Sequence, residues 1–153
     1  MSRVIFMCGP AGSGKSAVAR RLVTEGMVRL SFDEVAWQMG LRTMPLEEGI
    51  RRQVAAALQA RLLDLVASGA DVVLDFSFWS KSMREDYRLL LRPLGVEPET
   101  IYLATTREVA LARVRARMAG HADDFPLSAE LAAEYFDHFE APTAAEGPLT
   151  VIS

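Results

Sequence analysis

The chain has 153 residues, half of them hydrophobic and 24% charged, which suits one folded domain and excludes a disordered segment. Seventeen basic against twenty acidic residues leave a net charge of −3, so there is no general attraction to nucleic acid or to an anionic membrane surface. Only two residues are lysine, Lys15 and Lys81, against fifteen arginines; asparagine is absent, which removes N-glycosylation sequons and the Asn-Lys-x-Asp motif that reads guanine.

Val4 to Cys8 is a continuous apolar run closed by Gly9-Pro10, the pattern of a strand buried on both faces in a parallel sheet. Arg3 is followed by nothing longer than this run, so a secretory leader is not expected, and no apolar stretch approaches the roughly 20 residues that span a bilayer. Cys8 is the single cysteine and forms no internal disulfide, which fits a reducing compartment and predicts a cytoplasmic protein. A helix is expected from Gly14 to Val23, then a strand over Met27 to Phe32 and a short helix or turn over Asp33 to Gly40.

Pro45 suits a helix start, and Ile50, Val54, Leu58, Leu62 and Leu65 recur at helical spacing until Gly69 ends the element. Val72 to Phe76 reads as the third strand. Ser82 with Glu85 predicts a capping box for a helix to Leu91, broken by Pro93 and Gly95. Thr100 to Leu103 is the fourth strand, and Thr105 with Glu108 caps a helix reaching Met118. Ser128 to Phe139 is a further helix and Leu149 to Ile152 a last strand. Strands alternating with helices imply right-handed βαβ units, hence an α/β fold with a parallel sheet covered on both faces, in a single domain over residues 1–153. Residues 123–146 carry seven acids and no base, the pattern of a solvated face.

Gly9-Pro10-Ala11-Gly12-Ser13-Gly14-Lys15-Ser16 fits G-x-x-x-x-G-K-[ST] between a buried strand and a helix. Glycines let successive N–H groups turn toward one anion, and the helix N-terminus adds partial positive charge. Lys15 is placed to reach the β- and γ-phosphates, and the Ser16 hydroxyl to ligate Mg²⁺. Asp75 ends an apolar strand, the Walker-B position for holding Mg²⁺; the competing reading is a cap for the next turn.

Asp33 follows the second strand, where it can accept or orient the proton of an acceptor hydroxyl, or cap the next turn; Glu34 competes for the same work. Arg113 and Arg117 lie four apart on one helix face and can close on a transferring phosphoryl group, or serve as surface charge, while Arg115 points elsewhere. Phe76, Phe78, Trp79 and Trp37 near the two aspartates suggest an apolar acceptor wall or core packing. Lys81 and Arg84 are read as surface residues, with an anionic acceptor group as the alternative. His121 and His138 lack metal-ligand spacing, and Cys8 is read as packing.

With these residues in place the chain resembles the small P-loop kinases, among them chloramphenicol phosphotransferase, gluconate kinase, the zeta-toxin kinases, the kinase domain of phage polynucleotide kinase and many AAA-type ATP-binding kinases. The resemblance spans nearly the whole chain and is most specific over residues 4–16. It implies the three-layer P-loop NTPase fold, with a five-stranded parallel sheet of order 2-3-1-4-5 flanked by helices. It implies ATP and Mg²⁺ as cofactors, with nucleotide contacts at Gly9, Ala11, Gly12, Ser13, Gly14, Lys15, Ser16, Ala17 and Arg113, and metal contacts at Ser16 and Asp75. Asp33 matches the family's base, and Lys15, Arg113 and Arg117 its phosphate clamp. A loop after Phe139-Glu140-Ala141-Pro142 lies near the adenine in such kinases, which points to Pro142 or Thr143. The Phe-Ser-Phe-Trp segment after Asp75 departs from the group.

The expected activity is phosphoryl transfer from Mg²⁺-ATP to a hydroxyl of a small molecule such as an antibiotic, sugar or nucleoside. The alternatives are an ATPase switch without an acceptor and a polynucleotide 5′-hydroxyl kinase. The second needs a basic track that an acidic C-terminal third does not supply.

Overall fold

The computed structural model describes residues 2–41, 47–76, 78–116 and 129–152. Strand β1 (Val4–Cys8) is buried at every position, as its unbroken apolar run requires. Helix α1 (Lys15–Thr24) follows, then β2 (Val28–Leu30), α2 (Phe32–Gln38), α3 (Glu48–Ala67), β3 (Val72–Asp75), α4 (Lys81–Leu91), β4 (Glu99–Leu103), α5 (Arg107–Ala116), α6 (Ala129–Asp137) and β5 (Leu149–Ile152). Single 3₁₀ turns at Arg92–Leu94 and Ala144–Glu146 connect α4 to β4 and lead into β5.

The strands form one sheet of order β2-β3-β1-β4-β5. Every neighbouring pair is parallel, so the expected topology is present. Alternation along β1 sends its side chains to two separate cores. Val4, Phe6 and Cys8 pack with Leu58 and Leu62 of α3 and Tyr87 and Leu91 of α4. Ile5 and Met7 pack with Ala19 and Leu22 of α1. A third cluster, Leu111, Val114 and Ala132, joins α5 to α6. Met7 pairs with Asp75 in the β1–β3 ladder, which brings the end of β3 level with the entry to the loop after β1.

Several boundaries differ by a residue or two from the sequence reading, β3 ending at Asp75 and α6 at Asp137, and three differences have a hydrogen bond behind them. Strand β2 stops at Leu30 because Ser31 caps α2, accepting a hydrogen bond from Glu34 N at 3.2 Å. Helix α4 is capped by Ser80, which is extended (φ −121°) and accepts from Met83 N at 3.1 Å; Ser82 already lies inside the helix. At α5 the cap is Thr106, whose hydroxyl accepts from Val109 N at 3.4 Å. Thr105, the expected cap, donates instead to Ser13 O at 3.0 Å. The predicted helix start at Pro45 and helix end at Met118 lie outside the described residues.

Candidate active site

The loop between β1 and α1 is shaped by its glycines. Gly12 and Gly14 take φ of 81° and 97°, which side-chain-bearing residues rarely adopt. A Cβ on Gly12 would also run into the Ala110 carbonyl of α5, so the close approach itself requires glycine. Ser13 N bonds Pro10 O at 3.1 Å, and the Lys15 ammonium arches back to the same carbonyl at 3.2 Å. No acidic residue occupies the first turn of α1 and no side chain caps it. Its N–H groups therefore face the loop's concavity, ready for an anion. The Ser13 hydroxyl is buried with no hydrogen-bond partner. A polar atom in that state is costly unless a ligand meets it, so the residues fit a bound phosphate.

Helix α5 braces this loop from the β4 side. Thr105 holds Ser13 O, and Arg113 Nη1 donates to Gly12 O at 3.3 Å. The predicted Arg113 is thus at the loop in the same chain, and Thr105 is a contributor the sequence reading missed. Arg117 and His121 lie outside the described residues, Arg115 is exposed, and Ala17 is exposed on the first turn of α1. The ring of His138, just past the end of α6, bonds the Glu134 carbonyl of that helix at 2.8 Å.

Ser16 Oγ donates to Asp75 Oδ2 at 3.3 Å, joining the hydroxyl and the carboxylate expected to serve Mg²⁺. The pair fits a cation that takes one or two protein oxygens and completes its shell with phosphates and water. No cluster of three or more potential metal-binding side chains occurs among the described residues. Asp75 is held further by Arg29, absent from the sequence reading, whose Nη2 lies 2.6 Å and Nε 2.7 Å from Oδ2. An arginine inside the short strand Val28-Arg29-Leu30 was the available signal. Arg29 also meets Glu34 at 3.4 Å, and Gln38 donates to Glu34 at 3.4 Å. Asp33 lies half-buried in the first turn of α2, beside Glu34. Ser31, not Asp33, is the cap there, which removes the capping alternative for Asp33.

The aromatic cluster divides. Phe78 is fully buried and stacks on Phe6 and Phe76, with ring centroids 4.3 and 4.4 Å away, so these rings are core. Trp79 is 48% exposed. Phe78 has φ 49°, the one positive value at a non-glycine among the described residues, a conformation costing about 1–3 kcal/mol for a bulky side chain.

Arg84 corrects the surface reading. Its side chain is 0% exposed and pairs with Glu146 at 2.8 Å, so Glu146 leaves the solvated acidic face. Burial pushes the Glu146 carboxyl up, but bonds from Arg84, Thr143 N and Arg88 outweigh it and hold the group below its usual range. Cys8 is packing, as expected: burial pushes its thiol up to about 11, so it carries no thiolate near neutral pH. A cavity of about 90 Å³ lies beside Pro10, lined by Tyr102, Thr105, Phe136, Phe139 and Ala141. Pro142 and Thr143 are not among its lining residues; Thr143 caps the turn before β5.

A family profile described as an AAA domain matches residues 4–142. The chain belongs to this AAA-domain family. No curated protein matches it in sequence. Among solved structures, a gluconokinase from Sinorhizobium meliloti is 22% identical, with 98% of this chain and 81% of that one covered and a TM-score of 0.70. Kti12 from Chaetomium thermophilum, in complex with ADP-AlF3, is 17% identical over 98% and 88%, at 0.75. A chain of the Pnkp1/Rnl/Hen1 RNA repair complex is 15% identical at 0.78, with 90% of this chain and 43% of that chain covered. This AAA-domain protein therefore spans about two fifths of the RNA-repair chain and most of the other two. At these identities the likeness is one of fold, and that fold is the one small P-loop kinases share. No helix among the described residues is long and apolar enough to cross a membrane.

Proposed function

We propose that residues 1–153 act as one domain, a Mg²⁺-ATP-dependent phosphotransferase that moves the γ-phosphate to a hydroxyl of a small molecule, in a reducing cytoplasm that suits the lone buried Cys8. The observation that carries this is Arg113, held 3.3 Å from Gly12 O in the same chain as the loop. A nucleotide-driven switch commonly borrows its arginine from a partner, whereas a self-sufficient transferase carries its own.

The loop from Gly9 to Ser16 binds the phosphates through backbone N–H groups, with Ser13 Oγ as a further donor. Lys15 and Arg113, joined by Arg117, offset charge on the transferring group. Ser16 and Asp75 would hold Mg²⁺, which supplies charge neutralisation on the phosphates. Asp33, in the first turn of α2 beyond the end of β2, orients the acceptor hydroxyl and takes its proton, with Glu34 beside it as the competing carboxylate. Positioning and electrostatics supply most of such catalysis. The gluconokinase likeness supports a small acceptor.

A polynucleotide 5′-hydroxyl kinase is the second reading, favoured by the fold shared with the RNA repair chain. An ATP-consumption screen over hydroxyl metabolites, antibiotics and a 5′-hydroxyl RNA oligonucleotide separates the two. Consumption that no acceptor stimulates defeats both. With an acceptor in hand, Asp33→Asn is expected to cut transfer far more than ATP binding. Collapse of ATP affinity with unchanged transfer from the bound state removes Asp33 from the acceptor role.

A further inference from the structure

The turn after β3 is clamped more heavily than a surface loop requires. Phe78 holds its left-handed backbone while its ring is locked between Phe6 and Phe76. Its carbonyl is turned inward, where Arg84 Nη1 donates at 2.6 Å and Cys8 Sγ at 3.6 Å. Cys8 is the last residue before the phosphate loop, so the turn abuts that loop's root. The rest of the buried guanidinium is spent on Glu146, with Nε at 2.8 Å and Nη2 at 3.3 Å. A second staple acts on the other side. Glu140 N donates to Trp79 O at 2.7 Å, and the Glu140 carboxylate accepts from Lys81 N at 2.9 Å.

Segment 140–146 thus holds the backbone directly at Trp79 and Lys81 and, through Arg84, at Phe78, while Trp79 itself is left 48% exposed. Fixing a large apolar group in water gains nothing for folding. At the carboxyl ends of parallel strands, where open α/β sheets bind ligands, it provides a prepared contact face.

We propose that Arg84 is a positioning residue that holds the strained Phe78 turn so that Trp79 is presented as the contact face for a ring-bearing hydroxyl acceptor. This rests on the phosphotransferase reading above. It adds a substrate class, compounds with a flat or apolar ring face, because an indole favours such faces over linear polyols.

The test uses the full chain carrying Trp37→Phe, so that Trp79 alone fluoresces. Acrylamide quenching, the ATP dissociation constant and the thermal midpoint are measured for Arg84→Gln and Glu146→Gln. The expected result is stronger quenching and shifted emission of Trp79 in both, with ATP affinity unchanged. Arg84→Lys, which retains one cation but cannot fork between two partners, recovers only part of the original signal. Unchanged quenching beside a lowered midpoint shows a purely structural pair and overturns the proposal. Should Arg84→Gln not fold, Glu146→Gln carries the same measurement.

Trp79→Ala is run through the acceptor screen separately. The expected result is a rise of about tenfold in KM for ring-bearing acceptors, with KM for ATP unchanged. An unchanged acceptor KM overturns the contact role. Failure of the unsubstituted chain to bind ATP defeats the phosphotransferase reading instead, and the quenching data still report on the clamp.

Discussion

The phosphate loop and the turn after β3 stand at the ends of neighbouring strands and are held by different physics. The loop is set by backbone: glycines at φ 81° and 97°, a Ser13-to-Pro10 bond, and a helix N-terminus left uncapped. The turn is set by buried charge, with Arg84 meeting a glutamate 62 residues further along the chain and donating to the carbonyl of Phe78, which sits at φ 49°. A cradle for an anion needs only N–H groups, which every residue carries, so one contiguous segment can supply it. A face that recognises one acceptor needs particular side chains at particular angles, and the whole fold must converge to hold them.

The largest expected effect probes the first region. Lys15→Ala should lower phosphoryl transfer by roughly 100-fold or more, the scale of losing one preorganised charge at a reacting centre. Far-UV circular dichroism and the thermal midpoint should hold, because the glycines shape the loop. Full transfer activity in that variant would sink the assignment of the loop as the catalytic cradle.

The next effect probes the second region through stability. Glu146→Gln leaves the Arg84 guanidinium buried without its carboxylate, and breaking such a pair costs about 3–5 kcal/mol in urea unfolding. Its pH dependence follows from the lowered Glu146 value. The stabilisation is fully present above the ordinary carboxylate range and is lost as the pH falls through the lowered native value. The gap between wild type and Glu146→Gln should therefore close in acid. A gap that stays constant through the acid range would mean that the charge of Glu146 is not what holds the turn.

The two regions also differ in how far the sequence discloses them. The motif from Gly9 to Ser16 carries its own instructions, and the parallel sheet follows from apolar runs alternating with helical stripes, while its strand order follows from the resemblance to the small P-loop kinases. Arg84 did not announce itself, since an arginine on a short helix ordinarily faces water. Its burial depends on Glu146, which hides within a run of acids that reads as solvated. Arg29 has the same character: its role exists only because the β2–β3 ladder sets it one strand from Asp75. Ser82 with Glu85 reads as the cap of α4, but the extended backbone two residues earlier makes Ser80 the cap instead. What was local was legible, and what depended on two distant segments meeting was not.

The smallest expected effect tests whether water or geometry makes that difference. Arg107 and Asp137 tie α5 to α6 through Nε at 2.9 Å and Nη2 at 3.3 Å. Arg84 and Glu146 have nearly the same geometry, at 2.8 and 3.3 Å. The first pair is 50% and 52% exposed, the second 0% and 4%. Hydrogen bonding to Asp137 raises the Arg107 pKa, and the same bond lowers that of Asp137, yet both groups remain in solvent that screens them. Asp137→Asn should accordingly leave the thermal midpoint and ATP affinity where they were, at low salt and at high salt alike. A fall in midpoint as large as that of Glu146→Gln would show that bond geometry, rather than exclusion of water, decides what an ion pair contributes in this fold, and the contrast between the two regions would lose its physical basis.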